Sequence, residues 1–339
     1  MLLFCLLSYL LILIISIKIN KQPDNTKFLN IKFTNQIRGL AILAILVSHL
    51  INMLYYSRDS SISVIKFIFC VLAPIGVGLF FFLSGYGNVF SISKQCNITW
   101  LGKKISRLFI TILPVLLTLY IFSYILRINL FTKYSVINDF LTLSIPPFTT
   151  WYLKVQLFAY LLLFLCYKFF KRQYTYILFG LCLVYTIYCI LSEIAGMWWV
   201  STICFALGVI YAKSKEKFVF KFTPNLYHTI FLFLLSAIFF ILIIPFKAKA
   251  TFWLCIISCL LMSNLSILIT LKSKILDFLG TYSLEVYCVH LALIAIIEKI
   301  NFYIPNENNY KMILVFILTM LLVPHLKNFC DIIEKKLLR

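Results

Sequence analysis

The stretch Asn35-Gln36-Ile37-Arg38-Gly39-Leu40-Ala41-Ile42-Leu43-Ala44-Ile45-Leu46-Val47-Ser48-His49 places two ionisable residues at the ends of an apolar run. Thr34 or Asn35 can cap a helix start. At 100° per residue, the interval from Arg38 to His49 comes within about 20° of three full turns. Both side chains therefore sit on one stripe of a helix, roughly 16 Å apart along its axis. The residues between them have no polar face to offer water until Ser48. A helix that is apolar all round belongs inside a large core or a bilayer.

Composition chooses the bilayer. The chain has 339 residues, 63% hydrophobic and 12% charged, with a mean hydropathy of +1.00. Soluble domains run nearer half apolar and a quarter charged, so a water-soluble enzyme and a disordered chain are both excluded. With 10 Gly and 9 Pro, low-complexity sequence is excluded too. Eleven apolar runs bounded by charges follow at about 2–17, 37–56, 62–91, 108–126, 151–170, 174–191, 197–212, 227–246, 250–270, 278–298 and 310–326. The expected fold is an all-α polytopic membrane helix bundle of about 11 transmembrane helices. The run at 62–91 is long enough to tilt, or to break around Pro74.

The charge balance is 31 Lys+Arg against 11 Asp+Glu. In a soluble protein a net +20 would suggest nucleic acid. Here the positives lie between spans, 22 of the 31 in one alternating set of connections and 7 in the other. The positive-inside rule accounts for that bias and leaves no nucleic-acid partner. It places the 18–38 connection and the C-terminus in the cytoplasm and the N-terminus outside. Residues 1–17 lack a basic n-region and a small-residue cleavage site, so they read as an uncleaved span. The expected organisation is an extra span and basic connector over 1–35, a membrane domain over 36–326 and a basic tail over 327–339. The 11 cysteines sit in apolar runs without metal-binding spacing, as small packing residues. Trp151-Tyr152 and Trp198-Trp199 fall at outer boundaries, as an interfacial aromatic belt would.

Polar residues inside hydrocarbon each cost a few kcal/mol or more, so each needs a reason. Arg38 and His49 on one stripe suggest a pathway, with Arg38 at the cytoplasmic mouth and His49 more than halfway across. Gly76-Val77-Gly78-Leu79-Phe80-Phe81-Phe82-Leu83-Ser84-Gly85-Tyr86-Gly87 combines small residues for close helix approach with a hydroxyl that can bond across helices. Lys103-Lys104-Ile105-Ser106-Arg107 is a cytoplasmic cluster suited to lipid or to phosphate groups. Gly280-Thr281-Tyr282-Ser283-Leu284-Glu285-Val286-Tyr287-Cys288-Val289-His290 puts Ser283 and His290 on one face, with Tyr287 a turn from His290. Glu285, an acid at the membrane, calls for a basic partner.

Taken together these segments resemble the membrane acyltransferase 3 family of integral-membrane O-acyltransferases. The resemblance rests on Arg38-Gly39-Leu40-Ala41 with His49, Gly78 to Tyr86, Lys104 and Arg107 ahead of Pro114, Trp151-Tyr152-Leu153, and Ser283 to His290. These stand in family order and cover nearly all the chain from residue 36. The resemblance implies transfer of an acyl group, usually acetyl, from cytoplasmic acetyl-CoA to a hydroxyl of a surface or lipid-linked glycan. It makes His49 and Arg38 the catalytic pair, and Lys104 and Arg107, with neighbouring Lys103, the donor-binding group. Two departures stand out. An extra span precedes the usual core of about ten, and Lys104 stands where Arg is common, which loses the bidentate fork.

Acyl transfer needs a base near the hydroxyl and positive charge near the developing oxyanion. His49 suits the base, or alternatively a transient acyl acceptor. Arg38, three turns away, suits a clamp on CoA phosphate. Ser84, Glu285 or His290 can complete the polar site. With the donor made in the cytoplasm, the thioester arm is expected to thread between helices, beside Phe80. No metal is called for. The rival class is a transporter or flippase for a lipid-linked sugar, which also needs intramembrane Arg, His and Glu, but no internal repeat supports it. Capsular or other surface polysaccharide is the first expectation for the acceptor. Usage rich in Lys, Asn, Ile and Phe suggests an AT-rich bacterial genome, hence a bacterial cell membrane.

Overall fold

The computed structural model describes residues 2–20, 28–54, 64–127, 136–145, 150–214, 226–301, 303–305 and 307–337. Of the charges that orient the chain, Lys21, Lys27, Arg58, Lys133, Lys215, Lys217, Lys221 and Arg339 lie outside the described residues. The elements run α1 (Leu2–Ser16), β1 (Ile17–Ile19), α2 (Ile31–Leu54), α3 (Val64–Ile92), α4 (Ile98–Ile125), α5 (Val136–Leu141), α6 (Trp151–Phe169) and α7 (Tyr174–Leu191). A 3₁₀ turn (Gly196–Trp198) then precedes α8 (Ile203–Lys213), α9 (Leu226–Phe246), α10 (Ala248–Leu268), β2 (Ile269–Leu271), α11 (Lys274–Thr281), α12 (Ser283–Ile297) and α13 (Glu307–Leu337).

The chain is an all-α polytopic bundle. Among the described residues nine helical stretches are long and apolar enough to cross a bilayer, and α11 with α12, bent by 80°, makes a tenth. The eleventh expected span is α1, and it falls short. Its 15 residues, at 1.5 Å each, reach about 22 Å, against a hydrocarbon core of about 30 Å. It stops because the chain turns into β1, which pairs antiparallel with β2, Ile17 opposite Leu271 and Ile19 opposite Ile269. Asn20 fastens the join: its Nδ2 donates to the Ile267 carbonyl at 2.8 Å, and its Oδ1 accepts from Thr270 at 2.8 Å.

Three boundaries move for local reasons. Helix α3 continues through Pro74 without the expected break. The proline's carbonyl accepts from the Ser201 hydroxyl at 3.1 Å and the Cys255 thiol at 3.4 Å, so α10 and the segment before α8 hold the helix at this turn. Helix α4 starts ten residues before the expected 108, because the Asn97 side chain accepts from the Trp100 N–H at 2.9 Å and caps it. Lys103, Lys104 and Arg107 are therefore helical. The single span expected over 278–298 is broken at Tyr282 into α11 and α12.

Helix α2 lies at the centre, with 83% of its apolar window buried, whereas α9 has 17% and sits at the edge. Glycines let the central backbones touch. A Cβ on Gly39 of α2 would run into the Leu276 carbonyl of α11, and one on Gly280 into the Asn35 carbonyl. Gly85 of α3 and Gly208 of α8 meet the Phe205 and Phe82 carbonyls in the same way. Between membrane helices, where lipid competes equally for apolar surface, such close approach is a main source of cohesion. The outward faces of the bundle are apolar, as with Ile121, Val184 and Ile241, all exposed. The ten cysteines whose side chains the structure describes are free thiols, most of them buried.

Candidate active site

Helix α2 carries Arg38 and His49 on the stripe its periodicity requires. The 80° bend at Tyr282 then swings α12 across it. His290, fully buried, brings Nε2 to 2.8 Å from His49 Nδ1, the rings nearly parallel at 21° with centroids 5.1 Å apart. The other nitrogen of His290, Nδ1, lies 2.6 Å from the Val286 carbonyl. A carbonyl only accepts, so His290 Nδ1 holds the proton and Nε2 is the acceptor. His49 must therefore donate from Nδ1. That leaves its Nε2 with an unshared electron pair, the form a general base or nucleophile needs.

His49 is half-buried and borders an outer chamber of about 310 Å³. Ser48, Asn52, Trp151, Ser201, Thr251 and Tyr287 share its wall, with no charged side chain among the described lining residues. Trp151, expected in an interfacial belt, lines this chamber instead, and Trp199 is buried with its indole N–H donating to the Ile194 carbonyl at 3.1 Å.

Three further cavities continue from the outer chamber to the Arg38 end. A constriction of about 50 Å³ lies between Phe80, Tyr152 and Tyr287 and shares Ile45, Val77 and Tyr287 with the outer chamber. Next comes an inner chamber of about 340 Å³, sharing Phe80, Tyr152 and Leu284 with the constriction. Arg38, Lys104, Ser84, Asn88, Gln156 and Tyr160 give it a cationic, hydrogen-bonding wall. The last is a mouth of about 1000 Å³ bordered by Asn30, Lys32, Asn35, Arg38 and Asp277. Each cavity shares wall residues with the next, so the four lie end to end from Arg38 to His49.

The residues expected at the site divide accordingly. Arg38 and Lys104 line the inner chamber, with the Lys104 ammonium 5.9 Å above the Trp100 ring. Ser84 lies there too, not beside His49: its oxygen takes Gln156 Nε2 at 3.0 Å and Asn88 Nδ2 at 3.3 Å and donates to Tyr160 at 3.4 Å. Phe80 borders the row, whereas Phe81 and Phe82 are buried in packing. Lys103 is exposed and lines none of the four cavities. Glu285 does find a basic partner, and it is Arg107, at 2.5 Å. Asp331 at 2.7 Å and Glu334 at 3.1 Å, both on α13, hold the same guanidinium, and Lys327 stands 3.8 Å from Glu285 and Asp331. Arg107 thus ties α4, α12 and α13 together and lines none of the chambers. Among the described residues no cluster of His, Cys, Asp or Glu could hold a metal ion.

A family model described as an acyltransferase domain, that of acyltransferase family 3, matches residues 31–324. The chain belongs to the membrane acyltransferase 3 family. No curated protein and no solved structure matches it. In this acyltransferase the match takes in Arg38, His49, Lys104, Glu285 and His290, and begins after α1 and β1. Gln156, Asn88 and Tyr160 line the inner chamber and are residues that motif reading passes over. Tyr152, Gln156 and Tyr160, at spacings of four, are the signal that could have revealed them.

Proposed function

We propose that this acyltransferase takes an acyl group, acetyl in the simplest case, from cytoplasmic acyl-CoA and places it on a hydroxyl of a surface or lipid-linked glycan such as capsular polysaccharide. The observation that carries this reading is the row of cavities, cationic at the Arg38 end and neutral around His49. On the positive-inside reading the Arg38 end faces the cytoplasm of a bacterial membrane. Phosphate held by Lys104 and Arg38 would leave the thioester arm pointing toward His49. The arm runs about twelve bonds from phosphate oxygen to sulfur, roughly 14 Å at the rise of an extended chain. That nearly matches the roughly 16 Å along α2 from Arg38 to His49, and the two side chains make up the difference.

In the reaction, His49 Nε2 takes the proton of the acceptor hydroxyl as its oxygen attacks the thioester carbonyl. Ser48 and Asn52 offer uncharged donors on the same wall to the developing oxyanion. The tetrahedral carbon then expels sulfur, which takes the proton back from His49, leaving an O-acyl ester and CoA thiol. His290 holds the His49 tautomer throughout, as a positioning residue. The test is NMR of surface glycan from cells carrying wild type, His49→Ala or no copy, at matched membrane levels. The reading expects O-acetyl signals that need the protein and vanish with His49→Ala. Full acetylation in His49→Ala removes the catalytic assignment, and loss of the glycan itself with its acetylation pattern intact would mark a transporter.

A further inference from the structure

The side-chain amide of Gln156 is 2% exposed, and only half of it is used. Its Nε2 donates to Ser84, but its Oε1 finds no hydrogen-bond partner among the described residues. Gln156 lines the inner chamber, between the cations Arg38 and Lys104 and the constriction at Tyr152. An amide oxygen removed from water without a donor costs free energy, and buried polar groups are nearly always paired in native structures. Retaining one on a chamber wall makes sense where an arriving ligand supplies the donor.

The geometry points to the inner chamber as an amide-reading subsite, in which Gln156 Oε1 accepts an N–H from the pantetheine arm of the donor. The inference rests on the acyl-CoA reading above. Between its phosphates and its sulfur the arm carries two secondary amides, so a donor anchored by Lys104 and Arg38 must draw an N–H through this chamber. A lipid tail, the other slender group that could enter between helices, has no N–H to offer and would leave Oε1 as it is. The network behind Gln156 holds its side chain against the wall: Nε2 donates to Ser84, which is bonded in turn to Asn88 and Tyr160. Gln156 is on this account a binding residue, setting how deeply the thioester enters.

The test uses purified full-length protein, wild type and Gln156→Met, which keeps length and removes the acceptor. Calorimetry follows three probes: coenzyme A, pantetheine with both amides and no phosphate, and 3′,5′-ADP with phosphates and no amide. The expected result is about a tenfold loss of affinity for coenzyme A and pantetheine, with 3′,5′-ADP bound as by wild type, which also shows that the variant is folded. Lys104→Ala gives the complement, weakening coenzyme A, which carries the phosphate at the head of the arm, and sparing pantetheine, which lacks it. If Gln156→Met binds pantetheine as wild type does, the subsite is overturned while the donor reading stands. If all three probes weaken equally, Gln156 shapes the whole chamber and the specific contact is overturned. If wild type binds neither coenzyme A nor pantetheine, the donor reading fails and the subsite goes with it.

Discussion

The inner and outer chambers differ little in volume, about 340 against 310 Å³, and sharply in chemistry. The inner wall carries Arg38 and Lys104 with a network of Ser84, Asn88, Gln156 and Tyr160. The outer wall has one titratable imidazole, a tryptophan and a few small neutral polar groups. Two half-buried cations on one wall repel and are incompletely solvated, which on the proposed function suits the inner chamber to an anionic group. Around His49 nothing attracts charge, and an indole face with hydroxyls and an amide suits a neutral, ring-shaped polyol. On the proposed function, the contrast means that donor and acceptor are told apart by electrostatics at opposite ends of the row of cavities.

The hardest blow to that contrast is at His49. His49→Ala should reduce transfer by about 10²–10⁴-fold, the usual worth of an acid–base group, with coenzyme A binding unchanged by calorimetry. Next comes the buried ion cluster. Arg107→Ala would leave Glu285, 2% exposed, with only Lys327 at 3.8 Å, and breaking a buried pair costs about 3–5 kcal/mol. A thermal melt of the detergent-solubilised protein should show that loss, with the yield of folded protein falling. Arg107→Lys, which keeps the charge, should recover most of the stability and bind coenzyme A like wild type; a large loss of affinity there would put Arg107 in the donor site after all. His290→Phe should lower turnover without changing donor affinity, by about 10–100-fold if it behaves like the partners that orient metal-bound imidazoles. The smallest expected effect is Trp151→Leu, which should raise the acceptor KM by roughly tenfold, about 1.4 kcal/mol of lost contact, and leave the donor KM alone. A change in donor KM there would mean that the chambers are not separate in recognition.

The Arg38–His49 stripe was legible in the sequence because helical periodicity alone fixes it. The partnership of His49 with His290 was not, since it depends on the 80° bend at Tyr282, and nothing in Gly280-Thr281-Tyr282-Ser283 states an angle. Glu285 advertised a basic partner by being an acid in an apolar run. That the partner is Arg107 follows from α4 starting at its Asn97 cap, which turns the cluster into one helix face. Ser84 sits in a family motif, but a motif carries no depth, and Ser84 belongs to the inner chamber. The end of α1 at Ser16 was not legible, because hydropathy registers apolar length and cannot see a strand pairing with residues 269–271.

At Gly39 opposite Leu276 and at Gly280 opposite Asn35 the backbones of α2 and α11 come into direct contact, with the side chains of Asn35 and Gln36 bonded across the same seam. Helices seated backbone to backbone cannot roll or slide past each other without opening a void, so the walls of the passage form a fixed frame. In such a frame any narrowing is left to side chains, and the rings of Phe80, Tyr152 and Tyr287 around a space of about 50 Å³ are where it occurs.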